Sequence, residues 1–394
     1  MSARPPHRGQ SSEAVLAGVI SAVVGFSSSF AVVLAGLTAV GASPAEAGSG
    51  VAILCLTMGL GCVLFSWRFR MPVTMAWSTP GAALLATTAA PEGGFATAVG
   101  AFVLTGVLIL LTGLFRPLAV LVSRIPPAIA SAMLAGVLLP LCVAPFLSLA
   151  QTPLVIGPLV LTWLVLLRLA PRWAVPGALA AAVVVMGFSG TFGTLDVASL
   201  QPRLTWTAPE FSWDVAVAIA LPLYVVTMTS QNIPGVTVLA SFGYPAPMRS
   251  ALVYTGAATS LGAPVGGHAI NLAAISAALA AGPEAGPDPA RRWLAGVTCG
   301  LVYLLLGPLS PAVAAASDAA PAGLLAAVAG LALIATFASS AGTALSSETT
   351  RVPAAVTFLV AASGVVVAGV GAAFWALIAG LVVDRVIKGH RPGE

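Results

Sequence analysis

The chain has 394 residues, of which 59% are hydrophobic and 7% charged, and its formal net charge is +4. Soluble domains carry about 25% charged residues, so this composition, with a mean hydropathy of +1.03, excludes a soluble enzyme or a nucleic-acid-binding protein and defines an integral membrane protein. The basic residues fall between apolar runs, where membrane topology accounts for them.

Breaks in hydropathy at charges, Pro and Gly predict an all-α polytopic chain of about fourteen segments. They lie near 14–38, 47–66, 72–90, 94–114, 117–142, 153–170, 174–188, 213–240, 247–262, 267–281, 291–310, 320–341, 353–368 and 370–388. Arg4 and Arg8 precede a stretch that runs on too long for a cleavable signal. With the N-terminus inside and the sides alternating, fifteen of the sixteen basic residues fall on the inner face, leaving Arg203 outside. That bias is the positive-inside rule, and it predicts both termini in the cytoplasm.

The gap 189–212 divides the chain into 14–188 and 213–388, seven segments each, with termini 1–13 and 389–394 on the cytoplasmic side. Seven is odd, so related halves would be inverted in the membrane. Phe30–Gly41 is echoed by Asn232–Gly243, and Met71-Pro72-Val73 by Ala263-Pro264-Val265, each in the first or third segment of its half. Inverted repeats with interrupted helices place a binding site where the repeats meet, near mid-bilayer.

In the third segment, Ser78, Thr79 and Pro80 read as a helix start, since a hydroxyl caps free N–H groups and Pro suits the first turn. In the tenth, Gly266 and Gly267 precede His268 and Asn271 and the short apolar run 272–281, too short to span a bilayer alone. Two helix starts brought together would favour a small organic anion; the alternative is a pair of ordinary packed kinks. The eighth segment holds five polar side chains from Thr227 to Asn232, followed by Pro234, which frees a carbonyl one turn earlier. Such groups line a cavity or knit helices together. The matching place in the first segment is Ser27–Ser29. His268 is the one side chain near mid-membrane that titrates near neutral pH; the alternative is a neutral ring satisfied by a carbonyl. Glu348 and Arg351 are expected to pair at a helix end, and the four cysteines to be packing residues. Walker loops, zinc spacings, nucleophile elbows and paired membrane carboxylates are missing, so neither an enzyme nor an ATP-driven pump is expected, and no cofactor or metal.

The stretches Met71–Leu85, Thr229–Gly235 and Gly266–Ala274 together resemble the benzoate/proton symporter (BenE) family over nearly the whole chain. The resemblance implies the fold of the uracil and xanthine permeases and SulP-type anion transporters: half-helices at segments 3 and 10, a core of segments 1–4 and 8–11, a gate of 5–7 and 12–14. It also implies a homodimer, elevator-like movement and a bacterial-type inner membrane. Nucleobase permeases carry carboxylates on segments 8 and 10, where this chain has Gln231 and His268. That departure fits an anionic substrate.

The function expected is import of benzoate or a similar aromatic carboxylate with a proton. The candidate substrate-binding residues are Phe30, Trp77, Ser78, Thr79, Gln231, Asn232, His268 and Asn271, with His268 coupling the proton. A passive anion channel or a symporter of another small anion is the alternative.

Overall fold

The computed structural model describes residues 9–190, 201, 203–367 and 370–389. The expectations for 1–8, 390–394 and residues 191–200 and 202 of the connection 189–212 lie outside them. Lipid offers backbone groups no hydrogen bonds, so apolar runs close their bonds within helices. Among the described residues, eight helices are long and apolar enough to span a bilayer: Ser11–Ala39, Pro44–Phe69, Phe95–Leu114, Pro127–Gln151, Pro171–Phe188, Trp213–Ser241, Pro289–Asp318 and Leu324–Leu345. Six shorter or more charged helices, Thr79–Ala86, Pro153–Leu169, Met248–Gly262, Ile275–Ala281, Arg351–Ala362 and Ala372–Gly389, complete fourteen segments.

The structure redraws some boundaries. Expected segment 117–142 is two helices, Arg116–Ser123 and Pro127–Gln151, because consecutive Pro126 and Pro127 remove two donors and push the preceding residue out of the helical region. The first segment is broken after Ser27 and resumes at Phe30. Hydroxyls of Ser27, Ser28 and Ser29 bond to carbonyls three or four residues back, which loosens a helix. The tenth segment does not start its helix at Gly266-Gly267. Gly266 turns left-handed at φ 96° after a short 3₁₀ turn, and the helix starts only at Ile275. The expected Glu348–Arg351 pair is not formed; the Arg351 guanidinium donates to the Leu345 carbonyl instead. All four cysteines are free and buried.

Between Gly266 and Ile275 lies the one departure from a helical chain among the described residues that bears on function. Residues Met75–Trp77 (β1) pair antiparallel with Ile270–Leu272 (β2), with Met75 opposite Leu272, Ala76 opposite Asn271 and Trp77 opposite Ile270. Two broken segments from opposite halves thus satisfy each other's backbone about a local two-fold axis. This is the inverted-repeat transporter arrangement that the segment count implies.

Around this ladder the segments sort into two bundles. Segments 1–4 and 8–11 pack together, as do 5–7 and 12–14. The half-helix Thr79–Ala86 lies against the second half of segment 1, and Ile275–Ala281 against its first half. A Cβ at Gly36 would overlap the Ala82 carbonyl, so only glycine admits this approach.

Gly266→Ala is expected to lower detergent-solution stability by about 1–3 kcal/mol, because it forces a side chain into the left-handed region and sets a Cβ 2.9 Å from the Glu46 carbonyl oxygen. Gly371→Ala, with open space around it, serves as the control in a thermal-unfolding comparison. Equal melting of the two variants would contradict the constraint.

Candidate functional site

The site assembles at the ladder. Ser78 follows β1 directly and caps the helix Thr79–Ala86: its hydroxyl accepts from the Gly81 N–H at 3.2 Å. The same hydroxyl lies 2.8 Å from the Thr227 hydroxyl on segment 8. The Ser78 N–H goes to the Ala269 carbonyl at 2.9 Å, and the Ser78 carbonyl meets His268 Nε2 at 3.1 Å. A carbonyl only accepts, so Nε2 carries a proton and, in the neutral ring, Nδ1 carries the lone pair.

His268 and Asn271 are fully buried. His268 Nδ1 and both amide atoms of Asn271 have no partner. Leaving such atoms unsatisfied costs about 1–3 kcal/mol each, so they are the groups in this region with unspent bonding capacity. The expected alternative of a carbonyl-satisfied histidine therefore describes one ring nitrogen and not the other.

Aromatic residues pack at Trp77, on the neighbouring ladder position, and at His268. Trp77 Nε1 donates to Ser29 Oγ at 2.8 Å, across the break in segment 1. Phe26 stacks on Phe30 with centroids 5.6 Å apart and meets Trp77 at 5.5 Å, while Phe102 turns its ring edgewise to His268. Sequence reasoning named Phe30 and Trp77 as candidates, noted Thr227 only as part of a polar run, and missed Phe26 and Phe102. The four-residue spacing of Phe26 and Phe30 was the available signal.

Asn232 takes the bland option. Its Oδ1 accepts from the Leu272 N–H at 3.0 Å and its amide nitrogen faces the Thr227 carbonyl at 3.4 Å, so it ties segment 8 to β2. Gln231 and Thr79 are half-buried. The backbone of Met228–Asn232 forms a π-helical turn just before Pro234, with the Ile233 N–H reaching back to Met228; such turns concentrate at functional sites. The two helix starts, Thr79 and Ile275, sit at opposite ends of the ladder with Ala76 and Asn271 at its middle.

The charge pattern around the site is one-sided. Among the described residues the one buried carboxylate is Asp384, paired with Lys388 at 2.7 Å near the end of segment 14. A cavity of about 680 Å³ is a crevice elsewhere: it runs between Leu84, Thr88 and Asp214 of one bundle and Val137, Leu141 and Ala361 of the other. None of the eight candidate residues lines it.

Buried broken segments paired across inverted halves define a multi-pass membrane transporter. Solved structures share the fold. The transmembrane domain of a cyanobacterial bicarbonate transporter, BicA, matches with a TM-score of 0.59 at 17% identity, covering 97% of this chain and 98% of that one. SLC26A9 matches with 0.66 at 13% identity, over 95% of this chain and 65% of that one. Sequence comparison carries the assignment further. A family described as benzoate membrane transport protein (BenE) matches residues 9–386. Inner membrane protein YdcO of Escherichia coli K12 is 39% identical over 375 residues, 95% of each chain. The benzoate membrane transport protein of Acinetobacter baylyi is 31% identical over 325 residues, 82% of each chain. The chain belongs to the BenE family, and it is a transporter rather than an enzyme.

A double-mutant cycle on Ser78→Ala and Thr227→Val is expected to show a coupling of about 1 kcal/mol in unfolding free energy, the worth of one buried hydroxyl bond. Strict additivity would show that the two hydroxyls are independent.

Proposed function

We propose that the chain imports benzoate or a similar aromatic carboxylate together with a proton, by alternating access in a bacterial inner membrane with both termini cytoplasmic, as a homodimer. The observation that carries this reading is the pair of unspent groups, His268 Nδ1 and the Asn271 amide, buried beside the capped start of a half-helix and away from any buried carboxylate. The family description and the name of the Acinetobacter relative support the substrate.

The chemistry follows from the tautomer. With Nε2–H fixed on the Ser78 carbonyl, a second proton goes to Nδ1 and turns that atom from acceptor to donor. A protonated ring then faces an anion as a charge-assisted donor, and the loaded site is nearly neutral. Neutrality matters because an unpaired charge in a low-dielectric interior is expensive. The Asn271 amide and the hydroxyls of Ser78 and Thr79 complete the carboxylate's bonds, with Gln231 facing it from segment 8. The ring packs against Phe30 and Trp77 in the aromatic group that Phe26 holds together, which offers apolar area without charge. Asn232 acts by fixing β2 and does not contact substrate.

Purified protein is expected to gain thermal stability with benzoate and not with nucleobases, by about 2.7 kcal/mol at a hundred times the dissociation constant. A response to nucleobases or inorganic anions alone would replace the substrate reading. His268→Gln is expected to keep benzoate binding by thermal shift while losing accumulation driven by a pH gradient in proteoliposomes. Uphill uptake undiminished in that variant would remove His268 from coupling, and equilibration without accumulation by the unmodified protein would identify a channel.

A further inference from the structure

The two bundles touch differently at the two ends of the molecule. At one end they are apart. The 680 Å³ crevice separates the end of the half-helix (Leu84, Thr87, Thr88) and the start of segment 8 (Asp214, Ala218, Ile219) from segments 5, 13 and 14. This end is where segment 1 finishes, since Gly41 packs against Gly94, two residues from the crevice-lining Glu92. At the other end, where segment 1 starts, a shallower groove is lined by Glu13, Leu16 and Ala17 with Leu279, Glu284 and Arg172. Segment 1 holds these ends about 40 Å apart at 1.5 Å per residue.

Across that second groove runs an ion pair, Arg172 Nη1 to Glu284 Oε2 at 2.9 Å. Arg172 opens segment 7 in the second bundle and Glu284 follows the half-helix Ile275–Ala281 in the first. Three ion pairs occur among the described residues. The other two, Arg291–Asp288 and Lys388–Asp384, join residues three and four apart on one element. The pair that bridges the bundles is thus the long-range one, and it stands at the end opposite the open crevice.

We infer that Arg172 and Glu284 form a latch that closes the N-terminal end of the transporter and favours the conformation whose access is through the crevice. Both side chains are about half exposed, at 49% and 63%, so the pair is screened and weak. Weakness is what a latch opened in every cycle needs. It biases the two access states by about two- to fivefold and leaves both populated, whereas a dry, tight pair would trap one. The inference rests on the chain's being a transporter of this family and not on the identity of its substrate or coupling ion.

The test is cysteine accessibility in the full-length protein in detergent. Thr88→Cys reports the crevice and Leu279→Cys the groove, each labelled with a hydrophilic maleimide; the four native cysteines are buried. Adding Glu284→Gln or Arg172→Gln is expected to speed labelling at Leu279→Cys and slow it at Thr88→Cys, each about two- to fivefold. The charge swap Arg172→Glu with Glu284→Arg is expected to restore both rates. Raising salt to 1 M, which shortens the Debye length to about 3 Å, should shift the rates of otherwise unmodified reporters the same way and leave the Gln variants unaffected. Rates indifferent to both the Gln variants and salt, or a swap behaving like the single changes, would overturn the latch. A substrate-binding defect at His268 would leave these outcomes unaltered, so the two readings fail separately.

Discussion

Everything at the centre of this molecule follows from the demand that backbone amides at membrane depth find partners inside the protein. Two helices stop halfway, and their extended ends would each expose a row of N–H and C=O groups. Pairing β1 with β2 covers most of them, and side chains cover the rest. Asn232 accepts from Leu272, Thr259 from Ile270 and the Cys62 sulfur from Met75, while Ser66 donates to the Val73 carbonyl. Polar residues that look like substrate ligands in a hydrophobic sequence are, in several cases, the closing partners of this ladder. What remains after that bookkeeping is small: one ring nitrogen and one amide.

The same constraint decides what a sequence can announce. Fourteen segments were legible because apolar runs and basic loops are long-range patterns that survive errors of several residues. Ser78-Thr79-Pro80 was legible because a cap and a first-turn proline are local chemistry, and the structure has Ser78 capping Gly81. The ladder was not. Three-residue strands are too short to show alternation, and the partners lie 195 residues apart in the chain. For the same reason the fate of Asn232 was hidden: its neighbour in space, Leu272, is forty residues away. Thr227 sat within the polar run already noted, yet only the fold turns it toward Ser78.

The repeat also distributes irregularity. Segment 1 breaks at Ser28-Ser29 and segment 8 opens into a π turn at Met228–Asn232, the matching places of the two halves. The mechanisms differ, serine hydroxyls competing for carbonyls in one and an extra residue ahead of Pro234 in the other. Both deliver side chains to the ladder: Ser29 holds Trp77, and Thr227 holds Ser78. Inversion symmetry is kept in position while the chemistry at each position has diverged, which is why the sequence echo is faint.

The half-helix Thr79–Ala86 orders the electrostatics between crevice and site. It is eight residues long, about 12 Å at helical rise, with its capped N–H end at the ladder and its carbonyl end in the crevice. Partial charges of about half a unit sit at such ends, positive at the start and negative at the finish. The crevice adds Glu92 and Asp214, so the charged side chains that line it are acidic. Toward the ladder the sign reverses, and there the unspent imidazole nitrogen and amide wait in a site closed to solvent. Under the proposed function, loading a site closed to solvent requires the two bundles to shift. The bonds tying Ser78 to Thr227 and His268 keep the pocket's own parts together during such a shift, since all three residues belong to the same bundle.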